Sequence, residues 1–275
     1  MTRLEDFIKP PLAVVCHDAG AANLIVEWLK DYTGDLRVCM EGPAKIIWEK
    51  HFPSGKLISI NRVIKDSKTL LSGTGWGDLE HSARIQAKKR SIKNIAVIDH
   101  WTNYRERFIR DGNEELPDVI IVSDNYAYRL AKNFPPSTLV IELPNNYLQV
   151  EAKLASSERL RKCRVPIENI LIIAEPLRQK KKGKDTYLEF EAIEFLLNNL
   201  NKINISSRAV NILLRLHPSE PLVKYDNILK KYKDSVSKFH LSKNTHLYQD
   251  IAWADLVVGM NSFALVVALT ANVPT

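Results

Sequence analysis

Two polar clusters in the second half of the chain have residue types suited to holding an anion. His217, Pro218, Ser219 and Glu220 follow the apolar run of Val210, Ile212, Leu213, Leu214 and Leu216. Gly259, Met260, Asn261 and Ser262 follow a second run, Leu256 to Gly259. A continuous apolar run is the mark of a parallel strand covered on both faces, and ligands in such sheets bind outside the carboxyl ends of the strands. Pro218 fixes its own φ and biases His217 away from the helical region, which holds the imidazole at the strand tip. A glycine, an amide and a hydroxyl at a helix start suit phosphate oxygens. The same residues also serve as helix caps, Ser219 or Glu220 in one cluster and Asn261 or Ser262 in the other. The two roles are compatible at the second cluster.

The first half contributes four more clusters at expected strand ends. His17, Asp18, Gly20 and Asn23 form the first, where small residues let a ligand or another segment approach closely. In the second, residues 73–80, three glycines make a flexible turn, Asp78 caps the following helix, and Thr74, Trp76 and Glu80 face the space above the sheet. The third, residues 99–108, combines Asp99, His100, Trp101, Tyr104, Arg105 and Arg107; such loops at strand ends are more often sites than spacers. The alternative is that Trp101, Tyr104 and Phe108 pack the domain edge while the arginines stay solvated. Residues 144–149 make the weakest of the four.

These clusters must be carried by an α/β framework. Seven short apolar runs in residues 11–143 alternate with helical patterns: 11–17, 36–40, 56–60, 69–72, 94–98, 118–123 and 138–143. That alternation predicts a mostly parallel sheet wound on both sides. A charged helix over 147–161 leads away, and a second series follows, with strands at 170–174, 210–216, 236–241 and 256–259. The reading is two Rossmann-like parallel-sheet domains facing a cleft, an acceptor-side domain over 1–160 and a nucleotide-sugar domain over 161–275. The ending Asn272 to Thr275 predicts that the second domain is truncated, because a further strand normally follows such a helix.

Composition bounds the function. The chain of 275 residues is 45% hydrophobic and 26% charged, enough for real cores. No apolar run reaches the roughly 18–20 residues of a membrane span, and the charged N-terminus lacks a secretory h-region, so a cytoplasmic protein is expected. Cys16, Cys39 and Cys163 support neither a disulfide framework nor a zinc site. The net charge of +7 suits an anionic small molecule, nucleic acid or peripheral association with an anionic membrane. No basic patch interleaved with aromatics favours nucleic acid. Lys180, Lys181, Lys182 and Lys184 read as a solvated linker or loop.

With its two consecutive α/β series, its HP pair and its Asn-Ser pair after a strand, the chain resembles bacterial glycosyltransferases of the GT-B fold. It is similar in particular to the branch containing sialyl- and polysialyltransferases and other surface-polysaccharide enzymes. CDP-glycerol glycerophosphotransferases and non-hydrolysing UDP-N-acetylglucosamine 2-epimerases have related arrangements. The resemblance implies that His217 and Ser262 meet the donor phosphate. The branch's acidic-pair-glycine motif, which carries the base, is matched only in part by residues 17–20, with Asp18 in the acidic place. Where wider relatives have a ribose-binding glutamate, this chain has Val266 and Val267. The motifs lie in residues 165–275; over 1–160 the resemblance is architectural.

The resulting expectation is a metal-independent glycosyltransferase with a nucleotide-sugar donor as substrate, a saccharide acceptor and no separate cofactor. His217, with Pro218, Ser219, Glu220, Gly259, Asn261 and Ser262, serves the nucleotide and its departing phosphate. Asp18, Asp99 or Glu80 supplies the base, and His17, Thr74, Trp76, His100, Trp101 and Tyr104 meet the sugar. A 2-epimerase acting on a UDP-sugar and a catalytically degenerate sugar-nucleotide-binding protein are the alternatives.

Overall fold

A computed structural model describes residues 3–159, 166–175, 178–181, 184–203, 210–232, 236 and 238–275. The chain divides into two compact units, Met1–Tyr147 and Leu148–Thr275. Each is a parallel sheet with helices on its faces.

In the first unit the strands are β1 (Leu12–Cys16), β2 (Leu36–Met40), β3 (Thr69–Ser72), β4 (Lys93–Val97), the short hairpin pair β5 (Ile109–Arg110) and β6 (Asn113–Glu114), β7 (Val119–Val122) and β8 (Leu139–Glu142). The helices are α1 (Ala19–Leu29), α2 (Gly42–His51), α3 (Ile60–Ile64), α4 (Asp78–Lys89) and α5 (Asn125–Ala131). The main sheet runs β2-β1-β3-β4-β7-β8, parallel throughout. Alternation on β1 explains the two layers. Leu12, Val14 and Cys16 join the core under α1 and α2, whereas Ala13 and Val15 join the one under α3 and α4. The chain leaves β1 for β2 on one side and then crosses to β3 on the other. The strand order therefore reverses between β1 and β3, where open α/β sheets leave a crevice.

Two details depart from expectation. Residues 56–60 are not a sheet strand: Leu57 makes one parallel bridge to Val38, and α3 begins at Ile60. Ile58 and Ile60 bury their apolar surface against the α3/α4 core instead, which satisfies them without a ladder. The β5/β6 hairpin was not anticipated, although Asp111 and Gly112 announce it. Both have positive φ, at 49° and 76°, the geometry of a two-residue hairpin turn for which Asp-Gly is a favoured pair.

The second unit contains α6 (Asn146–Glu158), β9 (Asn169–Ile173), β10 (Arg178–Lys181), β11 (Lys184–Tyr187), α7 (Leu188–Asn198), β12 (Asn211–Arg215), α8 (Asp226–Tyr232), β13 (Lys238–Leu241), α9 (Leu247–Trp253), β14 (Leu256–Val258) and α10 (Phe263–Thr270). Its parallel sheet runs β13-β12-β9-β14 and reverses between β9 and β14. Ala152 and Ala155 of α6 pack in the core formed by α9, α10 and β14. The lysine run is not a loop: its backbone pairs β10 with β11 antiparallel, joining Lys180 to Asp185 and Lys181 to Lys184, while Lys182 lies outside the described residues. Among the described residues, no helix is long and apolar enough to cross a membrane.

Candidate functional site

At the β1/β3 reversal, the segments after the two strands interlock. His17 Nδ1 lies 2.7 Å from Asp18 Oδ1, with both side chains partly open to solvent at 37% and 41%. The hydrogen bond to Asp18 raises the His17 pKa above the ordinary imidazole value, against the effect of burial, and the charges of Asp18, Glu80 and Glu41 add to the rise. The result is an imidazole oriented by a carboxylate, an arrangement able to take and return a proton.

Glu80 supports this pair from beneath. Its side chain is fully buried, and Oε1 accepts the His17 backbone N–H at 2.8 Å, so it lies under the site and does not face the space above the sheet. Burial pushes its carboxyl up; Oε2 has no hydrogen-bond partner among the described residues. One turn along α4, Arg84 is equally buried, donates to the Gly73 carbonyl at 3.1 Å, and is pushed down to about 10 by desolvation. The two charges attract across that turn.

Three arginines hold the loop of residues 73–77 by its carbonyls. Besides Arg84, Arg107 donates to Thr74 O at 3.4 Å and Arg110 to Gly75 O at 2.7 Å. Thr74 is buried with its hydroxyl donating to Val97 O, so it braces the loop and meets no ligand. The Trp76 side chain stands out, 55% exposed, with the Arg107 and Arg110 guanidinium carbons 6.0 and 5.9 Å from its ring centre.

Asp99 is paired with Arg107, whose Nη1 lies 3.2 Å from its Oδ1. It also explains Gly20: a Cβ there would fall 1.7 Å from Asp99 Oδ2. Gly20→Ala is therefore expected to push Asp99 off Arg107 and to cost about 1–3 kcal/mol of stability, measurable by urea unfolding. An unchanged midpoint would show that the contact relaxes without cost.

The remaining third-cluster residues divide between surface and core. His100 accepts from or donates to the Thr102 hydroxyl at 3.2 Å and stays half-buried. The Trp101 indole donates to Asp124 Oδ2 at 2.8 Å, and Asp124 caps α5 through the Ala127 N–H. The buried Tyr104 hydroxyl has no partner among the described residues, and the ring packs on Phe134. Trp101 and Tyr104 thus take the domain-packing role.

In the second unit, parallel pairing puts the ends of β12, β9 and β14 on one edge, in that order. His217 follows β12. Its Nδ1 lies 2.7 Å from Ser219 Oγ and accepts the Ser219 N–H at 3.2 Å, folding Pro218 and Ser219 into an exposed turn. Glu220 turns inward: Lys224 bridges it to Glu189, and both carboxylates are buried. After β14, Ser262 caps α10, accepting the Ala264 N–H at 3.3 Å, so its structural role is realised.

A residue missed by sequence reasoning sits between them. Glu175, two residues past β9 and buried, accepts the N–H groups of Met260 and Asn261 at 3.2 and 2.7 Å. A carboxylate of the chain itself therefore occupies the donors expected to meet phosphate, and it spans the reversal between β9 and β14. A Cβ at Gly259 would meet Leu265 Cδ2 at 3.3 Å and Ile173 Cβ at 3.4 Å, a contact a small shift of Leu265 accommodates. The signal available was a lone glutamate directly after an apolar run.

Among the described residues, no group of three or more His, Cys, Asp or Glu side chains is placed to hold a metal ion. No protein-family model matches the chain, and no curated protein matches it in sequence. Among solved structures it is similar to the crystal structure of UDP-GlcNAc 2-epimerase from Neisseria meningitidis bound to UDP-GlcNAc. The TM-score is 0.57 at 11% identity, over 92% of this chain and 78% of that one. This likeness establishes the fold. Both units are Rossmann-like, and the expected α/β class holds.

Proposed function

We propose that the chain is a sugar-nucleotide enzyme, a metal-independent glycosyltransferase of surface-polysaccharide synthesis. The observation that carries the reading is the His17–Asp18 pair, partly open at the strand-order reversal of a Rossmann-like unit. Support comes from a fold shared with a protein solved bound to UDP-GlcNAc. His17 takes the proton of an acceptor hydroxyl, oriented and charge-balanced by Asp18. The acceptor oxygen forms its bond to the anomeric carbon as the carbon–oxygen bond to the donor phosphate breaks, and the phosphate leaves with the electron pair. The second unit, taken by itself, carries the nucleotide half of the reading: His217 and the start of α10 suit a phosphate, which would take over the Met260 and Asn261 N–H groups from Glu175.

A thermal-shift series with CMP, CDP, UDP and GDP tests the nucleotide half. A cytidine or uridine nucleotide is expected to raise the melting temperature, because a ligand bound by the native state alone stabilises it. His217→Ala should weaken that nucleotide about ten-fold, the loss of one charge-assisted contact. A flat response to all four nucleotides would contradict the reading.

The likeness to an epimerase favours one other reading, in which the chain inverts a UDP-sugar without any acceptor. Product analysis decides between them: incubation with UDP-GlcNAc alone yields an epimer in that case and no new sugar nucleotide in the case of transfer.

A further inference from the structure

The first unit has a cleft beside the His17–Asp18 pair, most of whose lining has no role in the chemistry above. Its volume is about 490 Å³, and His17 stands in its wall. Asp78, Ser82 and Gln86 line it from α4; the spacing i, i+4, i+8 places them along one helix face. Across from them is Glu41, the residue after β2, while Ile60 and Leu79 add apolar surface. Among the described residues, the side chains of Glu41, Asp78, Ser82 and Gln86 make no hydrogen bond to protein. Glu80, His81 and Arg84 of the same helix are buried beneath them, so α4 divides into a buried polar face and a ladder of uncommitted groups.

A carboxylate, a hydroxyl and an amide in a row, beside apolar surface, suit a ring that carries hydroxyls on its rim and C–H groups on its face. The charge is one-sided. Glu41 and Asp78 line the cleft, Asp18 adjoins it through His17, and among the described residues that line it the His17 imidazole is the one group able to carry positive charge. A ligand carboxylate would meet like charge there, whereas an ammonium would be attracted.

We propose that this cleft binds a saccharide that is uncharged or bears an amino group, and that Glu41 and Asp78 exclude acidic sugars. The inference rests on the transferase reading in one respect: the saccharide is taken to be the acceptor, with a hydroxyl presented to His17.

Saturation-transfer NMR titrations of the full chain with methyl glucoside, glucosamine and glucuronate test it. Methyl glucoside and glucosamine are expected to bind in the millimolar range, and glucuronate at least about ten-fold more weakly, a difference of about 1.4 kcal/mol. Ser82→Trp fills the cleft and should abolish binding. The gentler pair E41Q and D78N changes two exposed side chains without changing their shape, and should bring glucuronate level with methyl glucoside. Glucuronate binding as tight as methyl glucoside in the unaltered chain would overturn the proposal, as would no binding of any of the three or discrimination unchanged in the E41Q/D78N chain. The nucleotide series reads the other half separately. Sugar binding with a flat nucleotide response removes the transferase reading and leaves the cleft, and the converse removes the cleft alone.

Discussion

Replacing Asp250 with alanine is expected to destabilise the second unit by about 3–5 kcal/mol, the range for removing one partner of a buried ion pair. Asp250 is fully buried on α9. It accepts from Arg215 Nη1, Ser242 Oγ and Asn244 Nδ2, each at 2.6 Å. Arg215 ends β12 two residues before His217, and Ser242 and Asn244 follow β13. One carboxylate thus fixes the ends of two neighbouring strands and the start of the His217 turn. Its removal leaves the Arg215 guanidinium largely buried without its anion. Asp250→Asn keeps the shape but turns an amide N–H toward donors, so it should recover only a small part of the loss. Urea unfolding of the full chain, followed by a probe in each unit, checks both. A loss below about 1 kcal/mol would mean that the three donors find other acceptors.

Turnover under the transferase reading should fall about 10²–10⁴-fold in His17→Ala, the usual contribution of a positioned general base. Asp18→Asn retains the imidazole but loses the group that orients it, so a smaller loss is expected. The pH profile separates the base from a structural role. Because the pKa of His17 is raised, principally by its hydrogen bond to Asp18, a proton blocks the base at low pH and the rate climbs as pH rises through that value. Asp18→Asn removes the main cause of the rise and should move this limb to lower pH. The sign for stability is opposite: the imidazolium–carboxylate attraction is fully present below the unfolded pKa and fades as pH rises through the folded one. With both groups more than a third exposed, that term is screened by solvent. A limb that stays in place in Asp18→Asn would remove His17 as the base.

Several site residues were legible in the sequence because their surroundings are local. His17 and Asp18 adjoin each other directly after β1, and Pro218 and Ser219 form their turn within the segment that contains them. Ser262 was legible as a cap for the same reason. Glu80 was not. Helical spacing alone leaves open which way it points, and the partner that decides it, the His17 N–H, is 63 residues away. The pairing of Asp99 with Arg107, eight residues on, is likewise set by the fold of the loop between them. The ladder of Asp78, Ser82 and Gln86 was written in the i, i+4 pattern of α4, but its opposite wall comes from β1 and β2.

The order of strands and helices, and the alternation that buries both faces of each sheet, follow from apolar periodicity, a property of neighbouring residues that needs no distant partner. What the tertiary structure alone decided is the state of each charged group at the strand tips. Parallel pairing sets the tips of β12, β9 and β14 side by side, and this is what brings the Glu175 carboxylate onto the Met260 and Asn261 N–H groups. Whether a carboxylate is a free base, a buried support or an internal anion depends on distance and dielectric, and folding sets both through residues far apart in the chain.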